Sequence, residues 1–381
     1  MENDKIPFNR PYIVGKELFY VAQAVITHGH ISGDGYFTKK CQAWLEKAIG
    51  SHKALLTHSC TAALEMSAML CGIGEGDEVI MPSFTFVSTA NAFVLRGAVP
   101  VFVDIREDTL NMDECLLNDA LTEKTKAIVP VHYAGTPCDM NAILALANEK
   151  GLRVVEDAAQ GLLSTYEGKC LGTLGDLGCL SFHETKNIIS GEGGALLVND
   201  PELADRAEMI WEKGTDRRRF FRGQVDKYTW ADIGSSYLPS DIIAAFLFAQ
   251  LEMAEQIIAA RCRLLEQYME GLRDLEESGA IRLPSVDGDS TCNGHIMYII
   301  TRSLAERARL ITWLEERSII SVFHYIPLHS SPMGMRHCRT HGSMAVTDRT
   351  SECLLRLPMF YEMQPAQVSR VVDAVRGFYG R

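Results

Sequence analysis

Long apolar runs are missing from this chain of 381 residues. No stretch approaches the ~20 consecutive apolar residues of a membrane-spanning helix. The N-terminal stretch MENDKIPFNRPY also lacks the basic start and apolar core that are typical of a signal peptide. We therefore expect a protein that works in the cytoplasm and does not contact a membrane.

Positive charge is scarce. Lys and Arg number 37 against 49 Asp and Glu, which gives a formal net charge of −12. Such a chain repels the phosphate backbone of nucleic acids and the surface of anionic membranes, so we expect neither as a partner. Local clusters of basic side chains can still bind the phosphate groups of a small ligand.

Closely spaced cysteine pairs are absent as well. The eleven cysteines are scattered, and no two have the C-x-x-C spacing typical of zinc sites and redox centres. An odd number without such spacing predicts free thiols in a reducing compartment and no metal site.

No G-x-G-x-x-G follows the first predicted strand, which argues against a nucleotide-binding dehydrogenase.

Short apolar segments alternate with helical patterns from about residue 50 to residue 200, which is typical of a βαβ series. Their apolar character is continuous rather than alternating, so the strands should be buried on both faces of a parallel or mixed sheet. The predicted strands are 53–56, 78–81, 99–105, 126–132, 152–157, 177–183 and 194–200. The predicted helices are 61–70, 88–97, 113–121 and 140–151.

A long helical pattern begins at Ser240, where Ser240 and Asp241 are suitable N-cap residues. Beyond this helix we predict two strands, 295–301 and 319–325, around a helix near 303–317. Two C-terminal helices should follow.

The length of the chain exceeds what one ordinary core can organise. We therefore expect an α/β fold with a large domain, residues 1–245 including an N-terminal arm, and a smaller C-terminal α/β domain, residues 246–381. The large domain should carry the mostly parallel sheet between layers of helices.

Asp157 ends one of the predicted strands, in the segment VVEDAAQG. Open α/β sheets bind their ligands at the carboxyl ends of the strands. An Asp at such a place can simply cap the next helix. Alternatively, its carboxylate can face the ring nitrogen of an aromatic cofactor and keep that nitrogen protonated.

Lys186 follows another predicted strand, in the segment SFHETKN. Most lysines are solvated, because burying an ammonium group is costly. A buried lysine with a lowered pKa can instead bond covalently to an aldehyde cofactor and move protons. The strand exit and the glycine-rich turn at 191–194 predict that Lys186 lies near Asp157.

Two further segments offer groups for such a cofactor. In LLTHSCTAALEM, a helix that begins near Cys60 and Thr61 would present free N–H groups to a phosphate, with the Ser181 hydroxyl as another donor. Ser and Thr also cap many helices that bind no ligand. In MPSFTFVSTANA we expect one of Phe84 and Phe86 to pack in the core, and Phe86 to stack on the cofactor.

The stretch 215–236 is rich in Arg and aromatic residues, and we predict an ordered loop there. Its arginines either form a solvated basic face or bind a diphosphate, whose oxygens match the two parallel donors of a guanidinium. These arginines are Arg217, Arg218, Arg219 and Arg222, and Arg222 is our candidate for contact with substrate.

In this order, the segments resemble the DegT/StrS-type family of sugar-nucleotide aminotransferases. The resemblance covers nearly the whole chain, from PFNRP and SGDGYFTKKCQAWLE to FHYIPLH, and the motifs are specific in combination. It implies an aspartate-aminotransferase-like fold, the type I fold of pyridoxal-phosphate enzymes. It also implies that the amino group of L-glutamate passes through pyridoxamine 5′-phosphate to a nucleotide-linked keto sugar.

The resemblance also implies roles for single residues. Lys186 would bind pyridoxal 5′-phosphate covalently, Asp157 would face the pyridine nitrogen and Gln160 would lie near the ring hydroxyl. Phe86 would stack on the ring. The groups implied for the phosphate are the Ser181 hydroxyl and the amides around Cys60 and Thr61.

A homodimer with active sites at its interface is implied as well. In this family the partner subunit usually supplies an Asn to the phosphate from a G-x-N-Y-R segment, whereas residues 234–238 here read GSSYL and place Ser236 at that position. In HYIPLH, the residues His324, Tyr325 and His329 match a substrate-side motif. A buried structural role remains the alternative for either histidine.

Two other functions fit this resemblance less well. Dehydratases of the family typically carry His in place of the cofactor lysine, so Lys186 argues against that chemistry. A cofactor-binding regulator without turnover is the second alternative, and the intact Lys, Asp and Gln set argues against it. The sequence leaves open which keto sugar accepts the amino group.

Overall fold

The fold is described by a computed structural model of residues 5–285 and 290–380. Its strands are β1 Lys53–Thr57, β2 Glu78–Pro82, β3 Val99–Val103, β4 Thr125–Ile128, β5 Arg153–Asp157, β6 Thr165–Tyr166, β7 Lys169–Cys170, β8 Leu177–Ser181, β9 Gly194–Val198, β10 Ser290–Thr291, β11 Met297–Ile300, β12 Arg339–Thr340 and β13 Leu354–Leu357. Its α-helices are α1 Glu17–Ala22, α2 Tyr36–Ile49, α3 Cys60–Leu70, α4 Val87–Val94, α5 Leu117–Ala120, α6 Met140–Lys150, α7 Ala204–Trp211, α8 Arg217–Phe221, α9 Asp241–Leu251, α10 Ala254–Glu277, α11 Leu304–Glu315, α12 Pro332–His337, α13 Ala345–Cys353 and α14 Pro365–Phe378. A π-helical segment at Gln23–Thr27 continues α1, and 3-10 turns lie at Glu114–Leu116, Tyr133–Gly135 and Pro201–Leu203.

An eight-stranded sheet forms the centre, in the order β1-β9-β8-β5-β4-β2-β3-β12. From β8 to β12 along this order neighbouring strands run parallel, whereas β9 is antiparallel to both of its neighbours. All seven strands predicted between residues 50 and 200 belong to this sheet. The predicted α/β fold with a mostly parallel sheet is therefore confirmed.

Strand β2 shows why the apolar runs are continuous. Val79 and Met81 point into a core that α3, α4 and α7 cover, and Ile80 points into a second core under α5 and α6. A strand covered by helices on both faces needs apolar residues at successive positions.

The helical pattern from Ser240 forms two helices rather than the single one we predicted, because α9 and α10 meet at a bend of 58°. Ser240 caps α9 as predicted, since its Oγ accepts a hydrogen bond from the N–H of Ile243 at 3.4 Å. Asp241 caps a different helix. Its buried carboxylate accepts hydrogen bonds from the N–H groups of Phe37 and Thr38 at the start of α2.

Among the described residues, no single helix has the length and apolar character to cross a membrane, and the bent pair α9 and α10 meets both criteria when its helices are taken together. The domain boundary predicted at residue 245 falls inside α9 and stays a prediction. All eleven cysteines are free thiols, as predicted.

The strand predicted at 319–325 is wrong. Those residues form single bridges, from Ile319 to Ile6 and from Val322 to Arg356. The antiparallel partner of β11 is instead β13, which lies in the C-terminal part of the chain, where we predict two helices and no strand. The closely spaced leucines of that stretch fit the period of a helix and of a strand equally well. Three helices rather than two follow residue 325, while the predicted helix near 303–317 is confirmed as α11.

The C-terminal region has an apolar core of its own, built from α10, α11, α14, β11 and β13, and Ile6 packs into it. Among the contacts that tie this region to the large sheet are two at β3. Strand β12 pairs with β3 at the sheet edge. Asp104, directly after β3, accepts hydrogen bonds from the N–H groups of Val346 and Thr347 at the start of α13, at 3.0 and 2.8 Å.

A buried carboxylate fixes the strand end that carries Asp157. The preceding residue, Glu156, accepts hydrogen bonds from three backbone N–H groups between Gly172 and Gly175, at 2.6 to 2.8 Å. Its Oε2 also lies 2.9 Å from Nε2 of His132, in the segment after β4. Because the N–H of Cys138 donates to Nδ1 of His132, Nε2 carries the proton and donates to the carboxylate.

Replacing Glu156 with Ala is expected to lower the free energy of unfolding by roughly 3 kcal/mol or more, because three buried N–H groups lose their acceptor. Denaturant unfolding followed by fluorescence and by circular dichroism measures the change. The control is Glu149→Ala at an exposed site, which should shift stability by no more than about 0.5 kcal/mol. Equal unfolding midpoints for the two variants would contradict this role of Glu156.

Candidate active site

A cavity of about 610 Å³ opens at the carboxyl ends of the parallel strands. Loops after β1, β2, β5 and β8 form one wall, and residues of the C-terminal region form the other. Nine of the twelve predicted site residues line it: Cys60, Thr61, Phe86, Asp157, Gln160, Ser181, Lys186, His324 and Tyr325.

Asp157 is the last residue of β5, and its side chain is almost fully buried. Its Oδ2 accepts a hydrogen bond from the Thr89 hydroxyl at 2.7 Å, and its Oδ1 accepts one from the N–H of Ala159 at 3.1 Å. The Thr89 hydroxyl also lies 2.8 Å from that of Thr85. These contacts hold the carboxylate in one orientation at the cavity wall.

Lys186 follows β8 in a compact turn, where its N–H donates to the carbonyl of His183 at 2.9 Å. Burial lowers the pKa of its amine, and the positive charge of Arg356 acts in the same direction. Cys60 and Asp157 oppose this shift. Lys186 thus lies beside Asp157 in the cavity, as its sequence position predicted, with an amine that loses its proton more easily than a solvated lysine.

Helix α3 directs its N-terminus at the same cavity. The Ser59 side chain caps it by accepting from the N–H of Ala62 at 3.1 Å. Within the described part of the chain, the N–H groups of Cys60 and Thr61 have no acceptor. Gly194 of β9 packs closely here, because a Cβ on it would lie 2.4 Å from the nitrogen of Cys60. Free amides at a helix N-terminus bind anions such as phosphate.

Gln160, His324 and Tyr325 form one part of the cavity wall, and Tyr133 supports it from behind. Gln160 accepts a hydrogen bond from the N–H of Ala134 at 2.8 Å and donates one to the Tyr325 hydroxyl at 3.2 Å. The rings of Tyr325 and His324 lie against each other, with centroids 3.4 Å apart. The Tyr133 hydroxyl lies 3.0 Å from Nδ1 of His324. Burial lowers the pKa of His324 to about 2, so its imidazole is neutral at ordinary pH.

The two phenylalanines after β2 have the positions that we expected. Phe84 is buried, and its ring packs 5.1 Å from that of Tyr133. Phe86 has 57% of its surface exposed and lines the cavity. Only the second ring is thus free to contact a ligand.

Three predicted residues do not line this cavity. Ser236 is exposed on the surface and forms a single bridge with Glu212. Arg222 pairs with the carboxylate of Glu208 at 2.7 Å, outside the cavity. His329 lies 2.8 Å from the Ser83 hydroxyl and 3.2 Å from Asp348, so the structural alternative is the one that its contacts favour.

Several lining residues escaped the sequence analysis: Phe8, Arg261, His295 and Arg356. His295 is buried and bonds to the Asn187 side chain at 3.0 Å, and burial lowers its pKa. Arg261 donates to the carbonyls of Gly294 and His295. For Arg356 the sequence offers one local signal, which is a charged residue between two leucines. The apolar pattern of that stretch does not distinguish a strand from a helix.

These groups fit pyridoxal 5′-phosphate. A desolvated amine and a fixed carboxylate face one cavity, as an aldehyde cofactor with a ring nitrogen requires. The uncapped amides at the start of α3 and the Ser181 hydroxyl supply donors for a phosphate.

Comparison with known proteins agrees with this fit. The DegT/DnrJ/EryC1/StrS aminotransferase family matches residues 13–376. The spore coat polysaccharide biosynthesis protein SpsC of Bacillus subtilis (strain 168) is 33% identical, over 98% of this chain and 97% of its own. Among solved structures, the aminotransferase TlmJ from Streptoalloteichus hindustanus is 31% identical and covers 99% of both chains with a TM-score of 0.89.

Spr1654 from Streptococcus pneumoniae, solved with PLP, is 26% identical, covering 98% of this chain and 97% of its own with a TM-score of 0.88. It has also been solved in a PMP form. The cavity and these similarities lead to the same conclusion: the chain belongs to the DegT/DnrJ/EryC1/StrS aminotransferase family, and it is a sugar aminotransferase that uses pyridoxal phosphate, with pyridoxamine phosphate as the intermediate form.

Proposed function

We propose that the enzyme transfers the amino group of L-glutamate to C4 of dTDP-4-keto-6-deoxy-D-glucose and forms dTDP-4-amino-4,6-dideoxy-D-galactose. The meeting of Lys186, Asp157 and the α3 N-terminus in one cavity carries the transaminase part of this proposal. The acceptor rests on sequence: THSCTAALEM, PVHYAG, SFHETKN and FRGQVDKYTW resemble dTDP-4-amino-4,6-dideoxygalactose transaminase of enterobacterial common antigen synthesis.

The product would then enter the synthesis of a cell-surface polysaccharide such as enterobacterial common antigen or lipopolysaccharide, and the reaction would take place in the cytoplasm. The relative SpsC, whose name refers to spore coat polysaccharide, supports a role in surface carbohydrate. Another nucleotide-linked keto sugar is the alternative acceptor, and a non-catalytic cofactor-binding regulator is a weaker alternative.

When bound, pyridoxal phosphate supplies an electron sink for the negative charge that develops on the reacting carbon. Asp157 would keep the proton on the ring nitrogen, and Gln160 would act on the ring hydroxyl. Phe86 would cover one face of the ring and exclude water. The Ser181 hydroxyl and the amides of Cys60 and Thr61 would hold the phosphate.

Lys186 moves the proton in both halves of the reaction. Its lowered pKa leaves more of the amine neutral near pH 7, so it can act as a base on Cα of glutamate. In the second half it delivers a proton to C4 of the sugar. His324 and Tyr325 contact the sugar on the opposite wall, where the neutral imidazole serves as a hydrogen-bonding group rather than as an acid.

We also propose a homodimer with shared active sites. Large apolar side chains are exposed on α1, on the segment after it, at the end of α8 and on the loop after α8, among them Phe19, Ile26, Phe221 and Trp230. Exposed apolar surface of this kind is typical of subunit interfaces. Ser236 would reach the partner's phosphate site from this surface. The ion pairs of Arg222 with Glu208 and Asp205 favour a structural role for this arginine over a diphosphate contact.

Replacing Lys186 with Ala is expected to lower turnover by at least about 1,000-fold, because the proton-transfer group is lost. After reduction with borohydride, mass spectrometry should find the cofactor on the peptide with residue 186 in the native enzyme and not in the variant. Lys169→Ala, at an exposed site on β7, is the control and should retain activity. Undiminished turnover of K186A would refute the assignment of the lysine.

The acceptor is tested by absorbance of the enzyme loaded with pyridoxal phosphate. Glutamate should remove the band of the lysine-bound cofactor, and dTDP-4-keto-6-deoxyglucose should restore it while NMR identifies the 4-amino product. Restoration by the 3-keto isomer instead, or by a UDP sugar alone, would show that the acceptor is wrong and leave the transaminase intact. Failure of glutamate to change the band would overturn the proposed donor.

The neutral state of His324 predicts how stability depends on pH. Its pKa is about 2 in the folded protein and about 6.5 in an unfolded chain, so the unfolded state gains a proton as pH falls below 6.5. Stability that is present above pH 6.5 is therefore lost progressively in acid. Between pH 7 and pH 5 this one group accounts for up to about 2 kcal/mol.

His324→Asn should reduce that acid sensitivity, because Asn takes up no proton. Denaturant unfolding at pH 7 and at pH 5 measures the loss of stability in each protein. His337→Asn is the control at an exposed position and should lose as much stability as the native enzyme. An equal loss in H324N would mean that the native imidazole is not kept neutral.

A further inference from the structure

Arg356 lines the active-site cavity from β13. Within residues 5–285 and 290–380, its guanidinium makes no hydrogen bond and no ion pair, and its Nε is buried without a partner. Arg261, on the same wall, donates to the carbonyls of Gly294 and His295. The two arginines therefore differ: Arg261 is buried and its donors are satisfied by carbonyls, whereas Arg356 is partly exposed and its buried Nε has no partner among these residues.

An unpaired guanidinium in such a place destabilises the fold. Removing the charge from water costs several kcal/mol unless an anion compensates for it, and here burial lowers the pKa of Arg356. A chain gains nothing in stability from this arrangement. The cost is explained if a bound ligand brings the missing anion.

The position of Arg356 is fixed by the surrounding backbone. Its N–H donates to the carbonyl of Val322 at 2.7 Å, and its strand pairs with β11 opposite Tyr298. The guanidinium carbon lies 4.6 Å from the centre of the Phe8 ring, which supports the side chain from one side. A planar cation held on a rigid strand is preorganised for a flat anion with two oxygens.

Three anions can enter this cavity, and their distances from the reacting carbon distinguish them. The cofactor phosphate belongs at the start of α3. The diphosphate of a nucleotide sugar is separated from C4 by the breadth of the hexose ring. The α-carboxylate of an amino acid is bonded directly to the carbon that reacts. Arg356 and Lys186 line the same cavity, and the positive charge of Arg356 lowers the pKa of the Lys186 amine. Both positive charges also lower the pKa of His324.

We propose that Arg356 binds the α-carboxylate of the amino donor, an inference that rests on the proposed transfer from L-glutamate. The guanidinium orients the donor so that its Cα–H faces Lys186. When the keto acid leaves, the neutral sugar takes the same space, and Arg356 makes no comparable ion pair with it. The residue should therefore act in the glutamate half of the reaction and not in the sugar half.

The test follows each half-reaction separately by stopped-flow absorbance of the loaded enzyme. In R356M the glutamate concentration that gives half the maximal rate is expected to rise roughly 30- to 100-fold, as for a lost charge-assisted hydrogen bond. R356K keeps the charge without the planar fork and should fall between R356M and the native enzyme. The sugar half-reaction, started from enzyme loaded with pyridoxamine phosphate, should change by no more than about twofold.

Arg336→Met is the matched control, since it removes an exposed arginine from the same region. It should leave both half-reactions unchanged. If R356M instead impairs the sugar half-reaction and spares the glutamate half, Arg356 contacts the nucleotide sugar and the inference is overturned.

Two amide derivatives of glutamate can show which of its two carboxylates Arg356 binds. Glutamine retains the α-carboxylate and isoglutamine lacks it. The donor concentration that gives half the maximal rate should be higher in R356M than in the native enzyme when glutamine is the donor. With isoglutamine the two proteins should give the same value. A difference that survives with isoglutamine would assign Arg356 to the side-chain carboxylate or to no carboxylate at all, and would refute the inference.

Thermal unfolding of the holoenzyme separates a binding role from a structural one. R356M should melt at or above the temperature of the native enzyme, because an uncompensated buried charge has been removed. A clear fall would show that the guanidinium stabilises the fold and would overturn the inference. If the native enzyme itself does not react with glutamate, the proposed donor is wrong. If the native enzyme reacts and R356M needs no more glutamate than it does, the donor stands and the proposed role of Arg356 is wrong.

Discussion

The hydrogen bonds of Glu156 are the constraint on which the rest of the site depends. Three N–H groups of the loop before β8 and the imidazole of His132 converge on this buried carboxylate. They join β5, which ends at Asp157, to the loop that leads into β8 and to the segment after β4 that carries His132 and Tyr133. A buried acceptor with four donors cannot shift without leaving one of them unpaired. The catalytic groups therefore inherit their spacing from a residue that touches no ligand.

Burial sets the protonation states of three basic side chains in the cavity. It makes the amine of Lys186 a better base and keeps His324 neutral, while it leaves Arg356 charged but uncompensated. The same burial thus yields a proton carrier, a hydrogen-bonding wall and an anion site from three basic side chains. What separates these outcomes is the intrinsic pKa of each group, since only a guanidinium stays protonated in such surroundings.

The large sheet and the residues at its strand ends were predictable because their signals are local. A continuous apolar run marks a strand covered on both faces, and a polar residue directly after it marks the edge where ligands bind. The bend between α9 and α10 and the pairing of β13 with β11 arise from contacts far apart in sequence. Asp241 shows the limit well, since the helix that it caps begins about 200 residues earlier. Arg356 was missed for the same reason: nothing in its neighbours reveals that β13 faces the cavity.

The tie between Asp104 and the start of α13 bears on how tightly substrates are held. Together with β12 it fastens the C-terminal region to the sheet, so the wall with Tyr325 and Arg356 is in place when the chain folds. Ordering that is completed during folding does not have to be repeated at each binding event. Part of the affinity for donor and sugar therefore depends on a carboxylate directly after β3 that does not line the cavity.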